Sequence, residues 1–583
     1  MSKIIDCLLI GHNQVNFDEY IKRIQKMGKN SGAYRDLNLS FLQYDGKPYH
    51  AAGMFNYIQS HYLSNQKNFK PLCNKDTFSA AISYLGTYLS RRKLTFDYIL
   101  SFQEEKQKLA EKLTKDNILT IAITTTLYIT VFPILEIMNF IKQYNQTARV
   151  IIGGPFIATQ IRAADPGTLQ FLFDSVGADI YVNSSQGEAA LVKIIHALKN
   201  DLPLNEIPNI HYKTGNGYQA APLVKENNKL SENMVNWNLF ADKTNEYVNI
   251  RTSISCPFAC AFCGFPEHAG QYQTADIEAI ERELNSLKKI TTVKSLYFID
   301  DTINVPIKRF KEFLKMLNKN KYSFRWQSQI RCQYLDRETV KLMKQSGCEG
   351  VFLGLESGNN QILKNMNKKG SLEEYKKGIQ LLKKYDIITF GSFIAGFPGE
   401  TQETLQETAH FIEESEIDFY RAQLWYCETI TPIWKQKEKY NIKGSNFEWS
   451  HGTMNSREAA DLVEEMFLTI NQSTWLPQYQ FDFNTLFHLT NRGLNLNQIK
   501  GFITIFNQGI KEKLIHPGKD EVSKELIHRL AKTITSPSLD YLNGMRENTE
   551  NHHLANIDIA EVPIIHEEDL QADFDLDWNI NQE

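Results

Sequence analysis

The stretch SCPFACAFCGFPEHAG, residues 255–270, places Cys256, Cys260 and Cys263 at CxxxCxxC spacing. It follows the strand-like VNIRTS (248–253) and opens toward a helix, so the triplet sits in a turn where a strand hands over to a helix. Three thiolates occupy three corners of a 4Fe-4S cubane and leave one iron open to a small molecule, whereas a fourth cysteine would close it. The competing reading is structural zinc with His268 as a fourth ligand. Zinc sites, however, pair two short ligand clips, and a second clip is absent here.

C-terminal to the triplet the chain repeats one rhythm. Strand-like SLYFID (295–300), FRWQSQ (324–329), GVFLGLE (350–356), ITFGSFIAG (388–396) and FYRAQLWY (419–426) alternate with helices rich in Lys and Glu. With VNIRTS they make six strand-and-helix units, which predicts a partial β/α (TIM-like) barrel over 246–450 whose strand ends carry chemistry.

N-terminal to the triplet, KIIDCLLIG (3–11), FDYILSF (96–102), LTIAITTT (119–126), VIIGGP (150–155) and GADIYVNSSQGEAALVKIIHALKN (177–200) form a second alternating series. It predicts a doubly wound, Rossmann-like parallel sheet over 1–205. Residues 206–245, with Gly215 and Gly217, read as an irregular or hairpin connection. Beyond 450 the pattern is helical, as in REAADLVEEMFLTI (457–470) and LNQIKGFITIFNQGIKEKL (496–514), giving a C-terminal helical region over 451–546. Residues 547–583 are acidic and read as a mobile tail. There Phe574, Leu576 and Trp578 lie among Asp573, Asp575 and Asp577, as a partner-docking motif or a merely solvated end.

Composition narrows the function. A chain of 583 residues with 42% hydrophobic and 23% charged residues is an ordinary α/β globular protein of several domains. A formal charge of -4 provides no general basic field for phosphates, so no nucleic-acid partner is expected. The apolar start of MSKIIDCLLIGHN is too short for a secretory signal. The stretch from Ile118 to Ile141 is interrupted by Pro133 and Glu136, so no membrane partner and a cytoplasmic location are expected. Of eight cysteines only three cluster, which fits a reducing compartment with one cysteine site.

With Phe262 just ahead of its third cysteine, the triplet resembles the signature of the radical S-adenosylmethionine superfamily. The resemblance implies a 4Fe-4S cluster on Cys256, Cys260 and Cys263, with S-adenosylmethionine chelating the open iron. Reductive cleavage would then give a 5′-deoxyadenosyl radical, fed by an electron donor such as flavodoxin or ferredoxin. Asp300 and Asp301 in FIDDTIN could meet the methionyl ammonium or ribose, or instead form a loop-capping pair. Arg331 could fork onto the methionyl carboxylate or form a surface salt bridge. Glu356 and Ser357 in GLESG are expected to contact ribose or the amino group. The turn IAGFPGET (394–401) is expected beside adenine, and it also caps the next helix through Thr401.

The first domain resembles the cobalamin-binding arrangement of class B radical methylases. Candidate cobalamin contacts are Thr125 and Thr126 at one strand end, Gly153 and Gly154 at the next, and Ser185, Gly187 and Glu188 in SSQGE. The alternative is a cofactor-free protein-binding domain. The fingerprint DxHxxG is missing; His12 in IGHN has the wrong spacing and reads as a loop or core histidine, so no histidine is expected on the lower cobalt face.

The opening segment DCLLIGHNQVNFDEYIKRIQKMGKNSGAYRDLNLSFLQYDGKPYHAAGMFNY and RAQLWYCETITPIW (421–434) are similar to the PhpK-like P-methyltransferase family of phosphinothricin tripeptide biosynthesis. That resemblance spans most of residues 4–515. It implies methylcobalamin as methyl donor to an unactivated carbon or phosphinate phosphorus, in a small-molecule, carrier-bound or peptidyl biosynthetic substrate. Arg421, Gln423 and Trp425 come close to where substrate would sit. Tyr426 and Cys427 are candidates for a proton or hydrogen-atom shuttle, with simple packing as the alternative. Two other readings stay open: a cobalamin-binding radical enzyme that rearranges or oxidises without methylating, and a non-catalytic metal-binding interaction protein.

Overall fold

The computed structural model describes residues 3–14, 16–62, 71–73, 76–126, 128–516 and 518–535. The expectation for the acidic tail therefore lies outside the described residues.

The first sheet is built from β1 (Ile4–His12), β2 (Phe96–Ser101), β3 (Asn117–Thr124), β4 (Arg149–Gly153), β5 (Ile180–Val182), β6 (Ile210–Thr214) and β7 (Gly217–Ala220), in the order β2-β1-β3-β4-β5-β6-β7. The first five are parallel, and β6 and β7 run antiparallel at the edge. β1 shows why the sheet is covered on both sides. Leu8 and Ile10 fall in one apolar core and Cys7 and Leu9 in the other, so the strand is apolar at successive positions rather than alternate ones. This strand order puts a topological switch point between β1 and β3, where open α/β sheets bind ligands. The hairpin β6–β7 falls inside the stretch expected to be a connection. Its buried Ile210 and Tyr212 pair with β5, so the first sheet extends past residue 205.

The second sheet contains β8 (Tyr247–Ile250), β9 (Ser295–Phe298), β10 (Arg325–Ile330), β11 (Cys348–Glu356), β12 (Ile388–Ala395), β13 (Phe419–Leu424) and β14 (Thr474–Trp475), paired in sequence order and all parallel. The six expected units are present. A short seventh strand from the C-terminal region completes the open sheet. Amphipathic helices cover its outside; Ile277–Leu287, for example, buries Ala279, Ile280, Leu284 and Leu287 at helical spacing. The C-terminal helix Leu496–Ile515 begins with a capping box between Asn495 and Gln498.

The long excursion between β1 and β2 does not stay with the first sheet. Its helix Gly32–Asn38 carries Asp36, which accepts a 3.1 Å bond from Arg421 on β13, and Arg35, which pairs with Glu464 at 2.8 Å. Cys7 and Leu9 of the first sheet share one apolar cluster with Ile250 and Phe298 of the second, so the two sheets are fused through a continuous core. Each large side chain fully buried in it contributes about 1.5–3 kcal/mol. Trp237 lies in that core, its indole N–H bonded to Glu283 at 2.8 Å.

Candidate active site

The cysteine triplet lies in the turn after β8, at the C-terminal end of the parallel sheet. Asp300, just past β9, holds the start of that turn. Its carboxylate accepts from the Thr252 amide at 2.8 Å, the Thr252 hydroxyl at 3.0 Å, the Ser253 hydroxyl at 2.7 Å and the Ser253 amide. Arg309 donates to the carbonyls of Thr252 and Ala275 at 2.9 and 3.1 Å. Of the two roles foreseen for Asp300, the structure displays the loop brace. Asp301 is different: burial, then the neighbouring Asp300 charge, push its carboxyl up to about 7.

Later segments fix the middle of the loop. The Ala261 amide donates to Met366 at 2.8 Å, the Asn367 side chain donates to the Ala259 carbonyl at 2.8 Å, and the Ile433 amide donates to the Ala261 carbonyl at 2.8 Å. Each sulfur has its own neighbour. The Phe265 amide lies 3.4 Å from Cys263 Sγ, the Arg331 guanidinium 3.2 Å from Cys260 Sγ, and the Thr302 hydroxyl 3.7 Å from Cys256 Sγ. Burial raises the Cys263 thiol to about 12, and the nearby Cys260 and Cys256 push the same way. Cys260 is buried and Cys256 and Cys263 are half-buried, surroundings in which a cationic centre such as a metal cluster stabilises thiolates.

Among the described residues no three His, Cys, Asp or Glu side chains are arranged to hold a single metal ion. His268, the fourth ligand of the zinc alternative, has its ring nitrogens 3.1 Å from the Thr159 hydroxyl and 3.2 Å from the Arg162 guanidinium, both on a helix of the first domain.

Glu356 ends β11 and forms a 2.8 Å ion pair with Lys368, both almost wholly buried. Gly354 makes room for it, since a Cβ there would stand 2.6 Å from Glu356 Oε1 and 3.1 Å from Lys368 Nζ. The Lys368 ammonium also lies 5.7 Å from the Phe262 ring. Ser357 is buried, and its hydroxyl accepts from the Asn359 amide at 3.2 Å and faces Thr408 at 3.4 Å. In the turn after β12, buried Glu400 accepts from the amides of Gly396 and Phe397 at 2.6 and 3.0 Å. Burial raises its carboxyl to about 8.

Sequence reading missed Lys368, Asn304 and Asn367. The run KNMNKKG (364–370) was visible, but nothing in its spacing tells that it returns to the cysteine loop.

The first sheet presents its rim to this loop. Ser185, after β5, lies so near Gly270 that a Cβ at 270 would meet its hydroxyl at 3.0 Å, and Lys225 donates to Gln271 at 2.8 Å. Thr125 is occupied within the sheet, its amide and hydroxyl both donating to the Gly153 carbonyl at 2.9 and 3.0 Å, while Thr126 is exposed. Gly154 has φ +114°, and Gly187, with φ +75°, precedes the helix Glu188–Lys199. Glu188 is buried between the domains, 3.8 Å from Arg251 and accepting from Asn228 at 3.3 Å, so it braces the two sheets. His12 ends β1 with its ring 5.5 Å from Tyr128, and burial lowers its pKa from the ordinary histidine value.

At the exit of β13 the ring of Tyr426 lies 5.0 Å from Phe447 and is partly exposed. Cys427 is fully buried and backbone-paired with Asn446, and burial raises its thiol to about 12. Arg421 is also buried, with its guanidinium 4.3 Å from the Trp475 ring.

Residues 250–412, which carry β9 to β12 of the second sheet, match the sequence profile of the radical SAM superfamily. An uncharacterized methyltransferase of Pyrococcus horikoshii is 24% identical over 342 residues, covering 58% of this chain and 72% of the relative. The anaerobic magnesium-protoporphyrin IX monomethyl ester cyclase of Cereibacter sphaeroides is 24% identical over 365 residues, covering 58% of this chain and only 57% of the relative. Among solved structures, the cobalamin-dependent S-adenosylmethionine radical enzyme OxsB, with aqua-cobalamin and S-adenosylmethionine bound, superposes with a TM-score of 0.51 at 16% identity, over 82% of this chain and 70% of that one. It shares the fold. Among the described residues no helix is long and apolar enough to cross a membrane.

Proposed function

We propose, from the radical SAM domain at residues 250–412, that this protein is a cobalamin-dependent radical methyltransferase. Its acceptor is an unactivated carbon or a phosphinate phosphorus in a small-molecule, carrier-bound or peptidyl biosynthetic intermediate. The observation that carries the reading is the meeting of two ligand-binding rims. The segment just past the three thiols, at His268 and Gly270, packs on the helix Pro155–Ala163 that follows β4 and on Ser185 after β5.

A cluster with S-adenosylmethionine supplies an organic radical, and cobalamin supplies a transferable methyl group, a division suited to centres that ordinary nucleophilic transfer does not reach. Cys256, Cys260 and Cys263 hold the cluster. Glu356 and Lys368 offer a buried anion and cation at one strand end, the complement of a zwitterionic amino-acid head group. Phe258 lies under the Arg331 guanidinium and Phe262 beside the Lys368 ammonium. On the opposite rim, Gly153 and Gly154 allow a large flat ligand to approach the backbone closely. An electron donor such as flavodoxin or ferredoxin would serve the cluster. The cyclase relative favours a second reading, a cobalamin-binding radical enzyme that oxidises or rearranges without methylating.

Both readings are separable without knowing the substrate. The protein is reconstituted anaerobically with iron and sulfide, then given cobalamin, reductant and S-adenosylmethionine beside a Cys256→Ala variant. Methylation of the bound cobalamin, with 5′-deoxyadenosine formed by wild type alone, is the expected result. Bound cobalamin with 5′-deoxyadenosine and no methylation supports the second reading, and zinc with no cofactor cleavage sinks both.

A further inference from the structure

Arg331 was expected at the cofactor carboxylate, yet its surroundings hold it elsewhere. Its side chain is buried at 5% exposure. One guanidinium nitrogen donates to Cys260 Sγ at 3.2 Å and the other to the Lys368 carbonyl at 2.7 Å. The guanidinium carbon lies 3.4 Å over the Phe258 ring, which in turn stacks on Tyr334. Asn304 fixes the backbone of the same residue from both sides, accepting from its amide at 3.0 Å and donating to its carbonyl at 2.8 Å. A fork held by a sulfur, a carbonyl and an aromatic face is a positioned cation rather than a swinging arm.

The three sulfurs are thus unequal. Cys263 receives a backbone amide, Cys256 faces a hydroxyl, and Cys260 is hydrogen-bonded to a full cation whose charge also reaches Cys256. The nearby Lys368 ammonium does not add to this charge, because Glu356 neutralises it at 2.8 Å.

We infer that Arg331 is a positioning residue that sets the reduction potential of the cluster through Cys260, instead of clamping the cofactor carboxylate. This rests on the cluster reading above. When the oxidised cluster accepts one electron its negative charge grows, and a charge-assisted hydrogen bond to a ligand sulfur stabilises the reduced form more than the oxidised one. Arg331 therefore raises the potential and eases electron entry from a low-potential donor.

The test is a mediator titration with dithionite, followed by electron paramagnetic resonance, on the full-length reconstituted protein without S-adenosylmethionine. Wild type is compared with Arg331→Gln, which keeps a hydrogen-bond donor and loses the charge, and with Arg331→Lys. In the glutamine variant the ratio of reduced to oxidised cluster at fixed potential should fall about tenfold, equal to ~59 mV for a one-electron couple. S-adenosylmethionine affinity, measured in parallel, should change by no more than a few fold. An unmoved potential with lost S-adenosylmethionine binding overturns the inference in favour of the carboxylate clamp. If the glutamine variant assembles no cluster, the lysine variant decides: a smaller shift in the same direction supports the inference, and none overturns it. Failure of wild type itself to bind a 4Fe-4S cluster would instead remove the function proposed above.

Discussion

The rims of the two sheets come together at His268 and Gly270 and are built by opposite means. The second sheet ends in buried charge: Asp300 on the Thr252–Ser253 turn, Arg331 on Cys260, and Glu356 on Lys368. The first ends in glycine, threonine and serine, with its ionic groups drawn away into braces such as Glu188 with Arg251. A site for electron transfer and bond cleavage needs fixed charges in a dry interior, because charge is most effective where reorganisation is smallest. A site for a broad, preformed ligand needs room and backbone instead. Under the function proposed above, this contrast matches a division of labour between two cofactors.

The largest expected effect breaks the charged rim. Lys368→Met leaves Glu356 buried without a partner, which costs about 3–5 kcal/mol. Urea unfolding of the anaerobic holoprotein should show that loss, while Lys368→Met with Glu356→Gln should recover most of it because both charges are gone. Neither variant should retain S-adenosylmethionine binding. A stable double variant that still binds the cofactor would reduce the pair to a packing device.

This rim also marks the limit of what the chain announces. The triplet, the six strand-and-helix units and GLESG are local patterns, and the strands fall within a few residues of where hydrophobic periodicity places them. The stretch holding β6–β7 reads in the sequence as an irregular or hairpin connection, but pairing to a sheet edge is a long-range event that spacing does not encode. The excursion between β1 and β2 was legible only as an insertion; its docking on β13 rests on Asp36 and Arg421, 385 residues apart. Lys368 was hidden for the same reason, and Arg331 was singled out without its partner Cys260. A lone basic residue has no period, and its meaning lies in which anion the fold brings to it.

A smaller effect is expected on the other rim. Gly154 adopts φ +114°, and a Cβ there would stand 2.8 Å from the Thr125 hydroxyl and 3.0 Å from its amide. Gly154→Val should therefore cost about 1–3 kcal/mol in backbone strain. Cobalamin binding, followed by visible absorbance, should weaken at least tenfold while iron and sulfide content stay at the wild-type level. Loss of cobalamin and cluster together would mean that the rims are not separable units.

The smallest effect tests the seam between them. His268 stands beside the cysteine triplet in sequence, yet its ring is engaged by Thr159 and Arg162 of the first domain. The bond with the Thr159 hydroxyl contributes about 0.5–1.5 kcal/mol, and the contact with the exposed Arg162 guanidinium is weakened by solvent screening. His268→Ala should therefore lower the unfolding midpoint only slightly and leave the metal content of the reconstituted protein unchanged. A metal ligand would behave otherwise, because removing one of four from a closed site releases the ion. Iron content equal to wild type, with no zinc in either protein, would assign the histidine to the domain seam and leave the three thiols as the complete protein contribution to the cluster.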